Sequence, residues 1–176
     1  MSRFNNDDPG PMFSVFYRAH YVAAVGLAHW RAPGCDAEAI VAESFLAAWQ
    51  HAVGGGEVTR PWFFRTLRNK IGDYYRSHQR RESCVSDLVQ VGMDQAVDGD
   101  EEIIVQRMMI YGLLNDLPSS QAEALALVYG CDLTSTEAAG VLGVRDTTFR
   151  KRLERARAAF AAKLSTVTKA TAEEEN

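Results

Sequence analysis

The chain has 176 residues with 19 Lys+Arg against 23 Asp+Glu, a formal net charge of −4, and 47% of its residues are hydrophobic. This length allows one medium domain or two small ones with buried cores. No run of about 18 apolar residues and no signal-peptide pattern occurs, so we expect a cytoplasmic protein without membrane insertion. Three widely spaced cysteines argue against a disulfide framework, and His29 and Cys35 lack a second pair at ligand spacing, so neither metal nor cofactor is expected.

Two helices are predicted in the first fifty residues. Apolar residues recur at helical spacing from Met12 to Arg31, and Pro33 and Gly34 then end the pattern. Asp36 can cap a second helix that runs to about His51. The apolar stripe of this second helix consists of Ile40, Val41, Phe45, Ala48 and Trp49, and the positions expected to be more exposed are Asp36, Glu38 and Glu43.

Residues 60–81 combine basic and aromatic side chains. The stretch contains seven Lys/Arg, five aromatic residues and a single acid, Asp73. Pro61 suits the first turn of a third helix, because the donor that proline lacks has no partner there. This helix is predicted to bury Trp62, Leu67, Ile71 and Tyr74 and to direct its arginines outward. Cations that follow phosphates, beside rings that stack on bases, are typical of binding to single-stranded nucleic acid.

The positive charge of this acidic chain is concentrated in two windows. Residues 60–81 and 145–163 each contain seven Lys/Arg, so together they hold 14 of the 19. With three acids included, the two windows carry +11 and the other residues carry −15. Such focusing indicates surfaces for a polyanion, although the solvated faces of amphipathic helices are the alternative.

Residues 82–102 are interpreted as a flexible acidic linker between two domains. They contain seven acids, no base and no sustained apolar periodicity. The alternatives are an acidic surface loop, which would be unusually long within one domain, and a segment whose charge competes with DNA for the basic faces. Residues 165–176 contain three consecutive glutamates, at 173–175, and are expected to form a disordered acidic tail.

A helix-turn-helix is predicted in the second domain. A helical stripe begins at Ile103 and ends before Pro118, and Ser119 or Ser120 can cap the next helix, which ends near Gly130. A capping box in residues 134–137 then starts a short helix, and a Gly-containing turn leads to a basic helix in residues 146–164. Val144, Phe149 and Leu153 are expected to anchor this basic helix, whose N-terminal side chains would enter a major groove.

The N-terminal helices and the predicted helix-turn-helix together resemble one family. It is the sigma-70 family of bacterial transcription initiation factors, in its extracytoplasmic-function (ECF) group. Residues 36–49, DAEAIVAESFLAAW, are similar to the helix of the family that binds core RNA polymerase. Residues 60–81 look like the adjoining segment that reads and opens the −10 promoter element. Residues 117–157 are similar to the domain that reads the −35 element. The resemblance covers residues 12–81 and 103–164.

The resemblance implies an all-α fold of two small helical domains joined by the flexible acidic linker, the second a helix-turn-helix domain. Residues 1–81 would bind core polymerase and the −10 element, and residues 103–164 the −35 element. The implied polymerase contacts are Asp36, Glu38, Glu43 and Trp49. The implied −10 contacts are Trp62, Arg65, Arg68, Asn69, Asp73, Tyr75, Arg76 and Arg80, with a core position as the alternative for Trp62. The implied −35 contacts are Arg145, Thr147, Thr148, Arg150, Lys151 and Arg155.

The family resemblance also implies binding partners, and this sequence differs from the family pattern at several positions. The implied partners are core RNA polymerase, promoter DNA and an anti-sigma factor that clamps the two domains. Ala39 and Ala42 replace polar residues common in the family, and Arg145 replaces a capping Ser, which leaves Asp146 to cap the basic helix. Two other functions stay open: a stand-alone helix-turn-helix regulator that never engages polymerase, and a helical hydrolase or nuclease. For the hydrolase or nuclease, the sequence shows no carboxylate cluster, no nucleophile beside a base and no P-loop.

Overall fold

The structure is a computed structural model that describes residues 10–82 and 101–174, with side chains at 10–77 and 108–166. The chain divides into two compact units, Met1–Met93 and Asp94–Asn176. Every regular element in the described ranges is helical, which confirms the predicted all-α fold. Within those ranges we find no helix with the length and apolar character needed to span a membrane.

The described part of the first unit consists of three helices that pack against one another. They are α1 (Gly10–Arg31), α2 (Ala37–Val53) and α3 (Arg60–Glu82). Asp36 caps α2 as predicted, since its carboxylate accepts a hydrogen bond from the Ala39 backbone N–H at 2.9 Å. This cap satisfies one of the backbone donors that the first turn of a helix leaves without an intrahelical partner.

An aromatic cluster joins the three helices. The ring of Phe63 on α3 lies 4.4 Å from that of Phe45 on α2 and 5.5 Å from that of Phe16 on α1, between centroids. Phe63 is fully buried, and Phe45 and Phe16 are 3% and 9% exposed. Because large rings contribute much of the apolar area that a small domain can bury, this cluster sets the position of α3 on the other two helices.

The buried stripe of α3 differs in part from the predicted one. It consists of Phe63, Phe64, Leu67 and Ile71. Leu67 and Ile71 are as predicted, whereas Trp62 and Tyr74 are only half-buried and do not join this stripe. Trp62 lies roughly 150° around the helix from this stripe, at about 100° per residue. It packs instead against the end of α2, and the two consecutive phenylalanines fill the core.

Residues 101–174, the part of the second unit that the structure describes, contain four α-helices and a π-helical turn. They are α4 (Glu101–Asn115), α5 (Ser119–Leu125), the π turn (Ala126–Gly130), α6 (Ser135–Leu142) and α7 (Asp146–Glu174). Helices α5 and α6 both pack on α7, and α4 contacts α5 and α7. Helix α7 is therefore the element on which this unit is assembled.

Helix α5 begins without a side-chain cap. The prediction that Ser119 or Ser120 caps it is wrong, because Ser119 is already its first helical residue. The position before the helix is occupied by Pro118, whose carbonyl accepts hydrogen bonds from the N–H groups of Gln121 (2.7 Å) and Ala122 (3.1 Å). Proline fixes its own φ near the helical value, which suits it to a helix start.

The helix-turn-helix motif is confirmed in α6 and α7. The hydroxyl of Thr134 accepts from the Glu137 N–H (3.2 Å), and the Glu137 carboxylate accepts from the Thr134 N–H (2.8 Å), which is the predicted capping box. Gly143 ends α6 with φ +66°, a left-handed conformation that glycine adopts without strain. Phe149 and Leu153 are buried as predicted, whereas Val144 is half-buried.

Two boundaries differ from those predicted. Helix α7 continues to Glu174, so the expectation that residues 165–176 are disordered is wrong for 165–174. No Gly or Pro interrupts this segment, and a helix already nucleated upstream can propagate through it at a small cost per residue. Glu82 ends α3 and Glu101 begins α4, so the remainder of the predicted linker, residues 83–100, lies outside the described residues.

Removing the cap of α6 is expected to destabilise the second unit. Replacement of Thr134 with alanine should lower its free energy of unfolding by about 1 kcal/mol, because the Glu137 N–H loses its acceptor. Denaturant unfolding followed by circular dichroism measures this loss. Thr134→Ser is the control, since serine retains the hydroxyl oxygen. Equal stabilities of the Ala and Ser variants would contradict the capping role.

Candidate nucleic-acid interface

The predicted −35 residues are all exposed in the second unit. Phe149, Leu153 and Ala156 bury one side of α7, so its opposite side is turned to solvent. The six side chains predicted to contact the −35 element are exposed on or directly before this helix: Arg145, Thr147, Thr148, Arg150, Lys151 and Arg155. Four of the six are cationic, so the start of α7 presents positive charge together with two hydroxyl groups.

The first turn of α7 is tied to α6 by Asp146. This residue is the first helical one, and the Arg145 carbonyl before it accepts the Phe149 N–H (3.0 Å), so the expectation that Asp146 caps α7 is wrong. The Asp146 carboxylate instead accepts from the Thr136 hydroxyl (3.3 Å) and pairs with Arg150 (2.9 Å). A carboxylate in the first turn also offsets the positive end of the helix dipole. These contacts hold the start of α7 against α6.

The predicted −10 residues lie along α3. Arg65, Asn69, Asp73, Tyr75 and Arg76 are exposed, and Trp62 and Arg68 are half-buried. The side chain of Arg80 lies outside the described residues. Asn69 and Asp73 are four residues apart and both exposed, as a shared helix face requires. The structure therefore brings these two side chains together, and it pairs Asp73 with Arg76.

Tyr75 is held against the end of α1. Its hydroxyl donates a hydrogen bond to the Arg31 backbone carbonyl at 2.5 Å, while 44% of the residue stays exposed. Partial burial raises the pKa of Tyr75; the Arg31 charge acts in the opposite direction, and Cys35 adds to the increase. The phenol is thus protonated at neutral pH and fixed at one end. Its ring is both anchored and accessible, which suits a surface on which a base could stack.

Trp62 is covered by a second ring at the end of α2. The rings of His51 and Trp62 are stacked, with centroids 4.5 Å apart and planes inclined by 8°. A Cβ atom at Gly56 would lie 2.2 Å from the His51 ring, so this glycine closes the other side of the imidazole. The loop between α2 and α3 therefore clamps His51, and His51 in turn holds Trp62.

Adding a methyl group at Gly56 is expected to disturb this stack. In Gly56→Ala the His51 ring must move by about 1 Å or more, because real Cβ atoms do not approach other atoms to 2.2 Å. We expect a change in the tryptophan fluorescence spectrum and a loss of about 1–3 kcal/mol of stability in the first unit. Gly55→Ser is the control for the loop, since nothing lies within 4 Å of its Cβ position, although φ +81° makes that site strained too. An unchanged spectrum in Gly56→Ala would contradict the clamp.

The residues predicted to contact polymerase differ in exposure and in the partners they already have. Asp36, Glu38 and Glu43 are exposed, but Asp36 serves as the cap, and Glu43 pairs with Lys70 of α3 at 3.0 Å. Trp49 is half-buried, and its ring meets that of Phe13 edge to face at 5.1 Å. The exposed surface of α2 is thus less dominated by free acids than its sequence predicts.

An exposed apolar seam on α2 was missed by sequence reasoning. Ala39, Ala42, Leu46 and Val53 lie opposite the buried side of α2, and Leu46 and Val53 are 55% and 59% exposed. Trp49 completes an alternating spacing of three and four residues, which is the pattern that packs against a partner helix. This spacing is visible in the sequence, but the second, buried stripe of the same helix conceals it.

The described residues offer little for metal chemistry. Among the side chains described at residues 10–77 and 108–166, no three His, Cys, Asp or Glu are placed to hold a metal ion. Cys131 is buried. The Cys35 thiol is half-buried, and its burial raises its pKa. A backbone hydrogen bond lowers the pKa of Cys35, and the charge of Asp36 raises it. A raised thiol pKa disfavours the reactive thiolate.

Comparisons with known proteins agree with this geometry. The family model for Sigma-70, region 4 matches residues 107–160, which include the helix-turn-helix. The ECF RNA polymerase sigma factor SigM of Bacillus subtilis (strain 168) is 29% identical over 122 residues, covering 69% of this chain and 75% of SigM. The RNA polymerase sigma factor NccH of Alcaligenes xylosoxydans xylosoxydans is 31% identical over 140 residues, 75% of each chain.

A solved structure shares the fold over most of its length. CnrH, in complex with the cytosolic domain of CnrY, superposes with a TM-score of 0.64 at 25% identity, covering 89% of both chains. The helix-turn-helix that matches region 4 and the extended likeness to NccH point to the same group of proteins. This chain belongs to the sigma-70 family of RNA polymerase sigma factors, in its extracytoplasmic-function group.

Proposed function

We propose that this protein binds core RNA polymerase in the cytoplasm, directs it to promoters with two elements, and helps to open the −10 element. The observation that carries the proposal is the exposed basic start of α7, inside the segment that matches region 4. A helix of this kind places its N-terminal side chains against base edges in a major groove. Sigma factors are not a family of enzymes, and we assign this chain no catalytic activity.

Helix α2 is the proposed polymerase contact. Its apolar seam (Ala39, Ala42, Leu46, Trp49 and Val53) has the spacing that packs against another helix, and Glu38 and Glu43 flank it. Leu46 and Val53 would supply most of the apolar area buried against polymerase. Glu38 and Glu43 would orient the two proteins and increase their rate of association. This arrangement also accounts for Ala39 and Ala42, which let a partner helix approach closely.

Helix α3 is the proposed contact with the melted −10 element. Unstacking a base costs a few kcal/mol, and stacking on an aromatic side chain returns about 1–3 kcal/mol per base. Tyr75 and Trp62 are the two candidates for stacking, both held in place by other parts of the first unit. Asn69 and Asp73 provide hydrogen-bonding groups on the same helix, and Arg65, Arg68 and Arg76 provide charge for the phosphates.

An anti-sigma factor is the proposed regulator. The neighbouring structure contains CnrH bound to the cytosolic domain of CnrY, and this chain superposes on CnrH over 89% of its length. A helical segment that covers the α2 seam would block the polymerase contact. Purified chain that remains fully active in an extract of its source cells, with any such regulator present, would contradict this part of the proposal.

Transcription in a defined system tests the proposed function. Core polymerase with the purified chain should produce transcripts from promoters that core polymerase alone does not use. A stand-alone helix-turn-helix regulator would bind intact duplex sites unaided and leave core polymerase inactive at them. Transcripts that depend on the chain support the sigma function, and duplex binding without such transcripts favours the regulator.

A further inference from the structure

Glu154 is a single acid in a basic stretch of α7. Between Thr147 and Lys163 the sequence contains six Lys/Arg and only this one acid. Its side chain is exposed, like those of its neighbours Arg150 and Lys151. A carboxylate on a surface that approaches phosphates weakens binding through repulsion, which a neutral residue would avoid. The position of Glu154 therefore calls for a compensating role.

Ion pairing within the helix does not supply that role. Arg150, four residues before Glu154, is placed for an i,i+4 pair, but its guanidinium pairs with Asp146 at 2.9 Å. Arg157, three residues after Glu154, lies over the ring of Tyr129 at 5.6 Å. Among the side chains described in residues 108–166, Glu154 has neither an ion pair nor a hydrogen bond. Its carboxylate is open to a ligand.

The spacing of Glu154 places it among the groove-facing side chains. Thr147, Arg150, Lys151 and Glu154 follow one another at i, i+3, i+4 and i+7, and all four are exposed. They lie away from the side of α7 that buries Phe149 and Leu153. Homeodomains read the major groove with four side chains at this same spacing on their recognition helix. Seven residues of helix rise by about 10.5 Å, the length of roughly three base pairs.

The chemistry of a carboxylate limits what it can read. An ionised carboxylate only accepts hydrogen bonds, and the donors in the major groove are the N4 amino group of cytosine and the N6 amino group of adenine. In an A·T pair the amino group lies between two acceptors, N7 of adenine and O4 of thymine, which repel a carboxylate. In a C·G pair the amino group has an acceptor on one side only. Cytosine is therefore the favoured partner.

We propose that Glu154 is a specificity-determining residue that accepts a hydrogen bond from the N4 amino group of a cytosine in the −35 element. The inference rests on the proposed function, because it requires α7 to enter the major groove. It assigns a base-reading role to the one groove-facing side chain whose charge opposes binding to phosphates.

Selection from a random duplex library tests the assignment. Holoenzyme formed from the full chain and core polymerase would select bound duplexes, and binding to each single-base variant of the selected site would then be measured. Four proteins are compared: the original chain, Glu154→Ala, Glu154→Gln and a control, Asp116→Asn. Asp116→Asn removes one negative charge elsewhere in the second unit, where Asp116 pairs with Lys163, and serves as the control for net charge.

The original chain and the control should prefer cytosine at one position by roughly five- to a hundredfold, the range for one well-made contact with a base edge. Glu154→Ala should lose this preference there, keep its preferences elsewhere, and bind unselected duplex more tightly. Unchanged preference in both Glu154 variants, or loss of an adenine preference instead, would overturn the assignment while leaving the sigma function intact. Failure of the original chain to select any sequence would overturn both.

Discussion

Replacing Phe63 with alanine is expected to lower the free energy of unfolding of the first unit by about 3–5 kcal/mol. The side chain is fully buried, and its ring contacts those of Phe16, Phe45 and Phe64 at 4.4–5.5 Å between centroids. Truncation leaves a cavity at the point where the three helices meet. A loss of this size is a large fraction of the stability of a small domain, so a substantial part of the first unit should unfold at 37 °C.

Denaturant unfolding monitored by tryptophan fluorescence measures this loss, because all three tryptophans lie in the first unit. Phe63→Leu is the matched control and should cost clearly less, since leucine retains most of the apolar volume. Tyr75→Phe removes one hydroxyl group and its hydrogen bond to the Arg31 carbonyl from a residue that is 44% exposed, and should cost less than Phe63→Ala. A loss below 1 kcal/mol in Phe63→Ala would mean that the aromatic cluster does not set the position of α3.

Binding of the holoenzyme to promoter DNA is expected to fall roughly 10³-fold or more between 50 and 200 mM salt, if this chain neutralises six phosphates. Exposed cations sufficient for this number are present in the described residues: Arg65, Arg76, Arg145, Arg150, Lys151 and Arg155. Counterion release makes the logarithm of affinity linear in the logarithm of salt concentration, so the slope reports how many phosphates are neutralised. A flat response would contradict both basic surfaces.

Because polymerase adds phosphate contacts of its own, the change in slope between variants is the informative quantity. Lys151→Ala should reduce the slope by about one and weaken binding to all sequences alike. Lys163→Ala removes the same charge from a side chain that pairs with Asp116, 3.4 Å away, and should leave the slope unchanged. Equal effects of the two substitutions would mean that the start of α7 does not approach the phosphates.

Helix positions were largely predictable, because periodicity and capping chemistry are local properties. The cap at Asp36, the capping box at Thr134 and the buried Phe149 all follow from neighbouring residues. The cap of α5 was not predictable from hydroxyl preference, since Pro118 starts that helix through its backbone. Helix α7 continues to Glu174 because it propagates from a segment that is already packed, and the spacing of apolar residues gives no sign of this.

The residues of the candidate sites were predictable from the sequence, but the side chains they contact were not. All six −35 residues are exposed, yet Arg150 shares its charge with Asp146. On α3, three-dimensional packing decides which rings are available: Trp62 stacks on His51, and the Tyr75 hydroxyl reaches Arg31, 44 residues away in sequence. Such long-range contacts have no signature in a single sequence. The roles of these residues in binding DNA stay predictions.

Co-elution of the purified chain with bacterial core RNA polymerase tests the central claim most directly. The intact chain is predicted to co-elute, and Leu46→Arg to bind at least about 30-fold more weakly, because it places a charge in the middle of the apolar seam. The Glu38 and Glu43 double alanine variant should weaken binding less. Val22→Arg, at an exposed apolar position on α1, is the control and should bind normally. No co-elution of the intact chain would contradict the sigma function, and undiminished binding of Leu46→Arg would contradict its placement on α2.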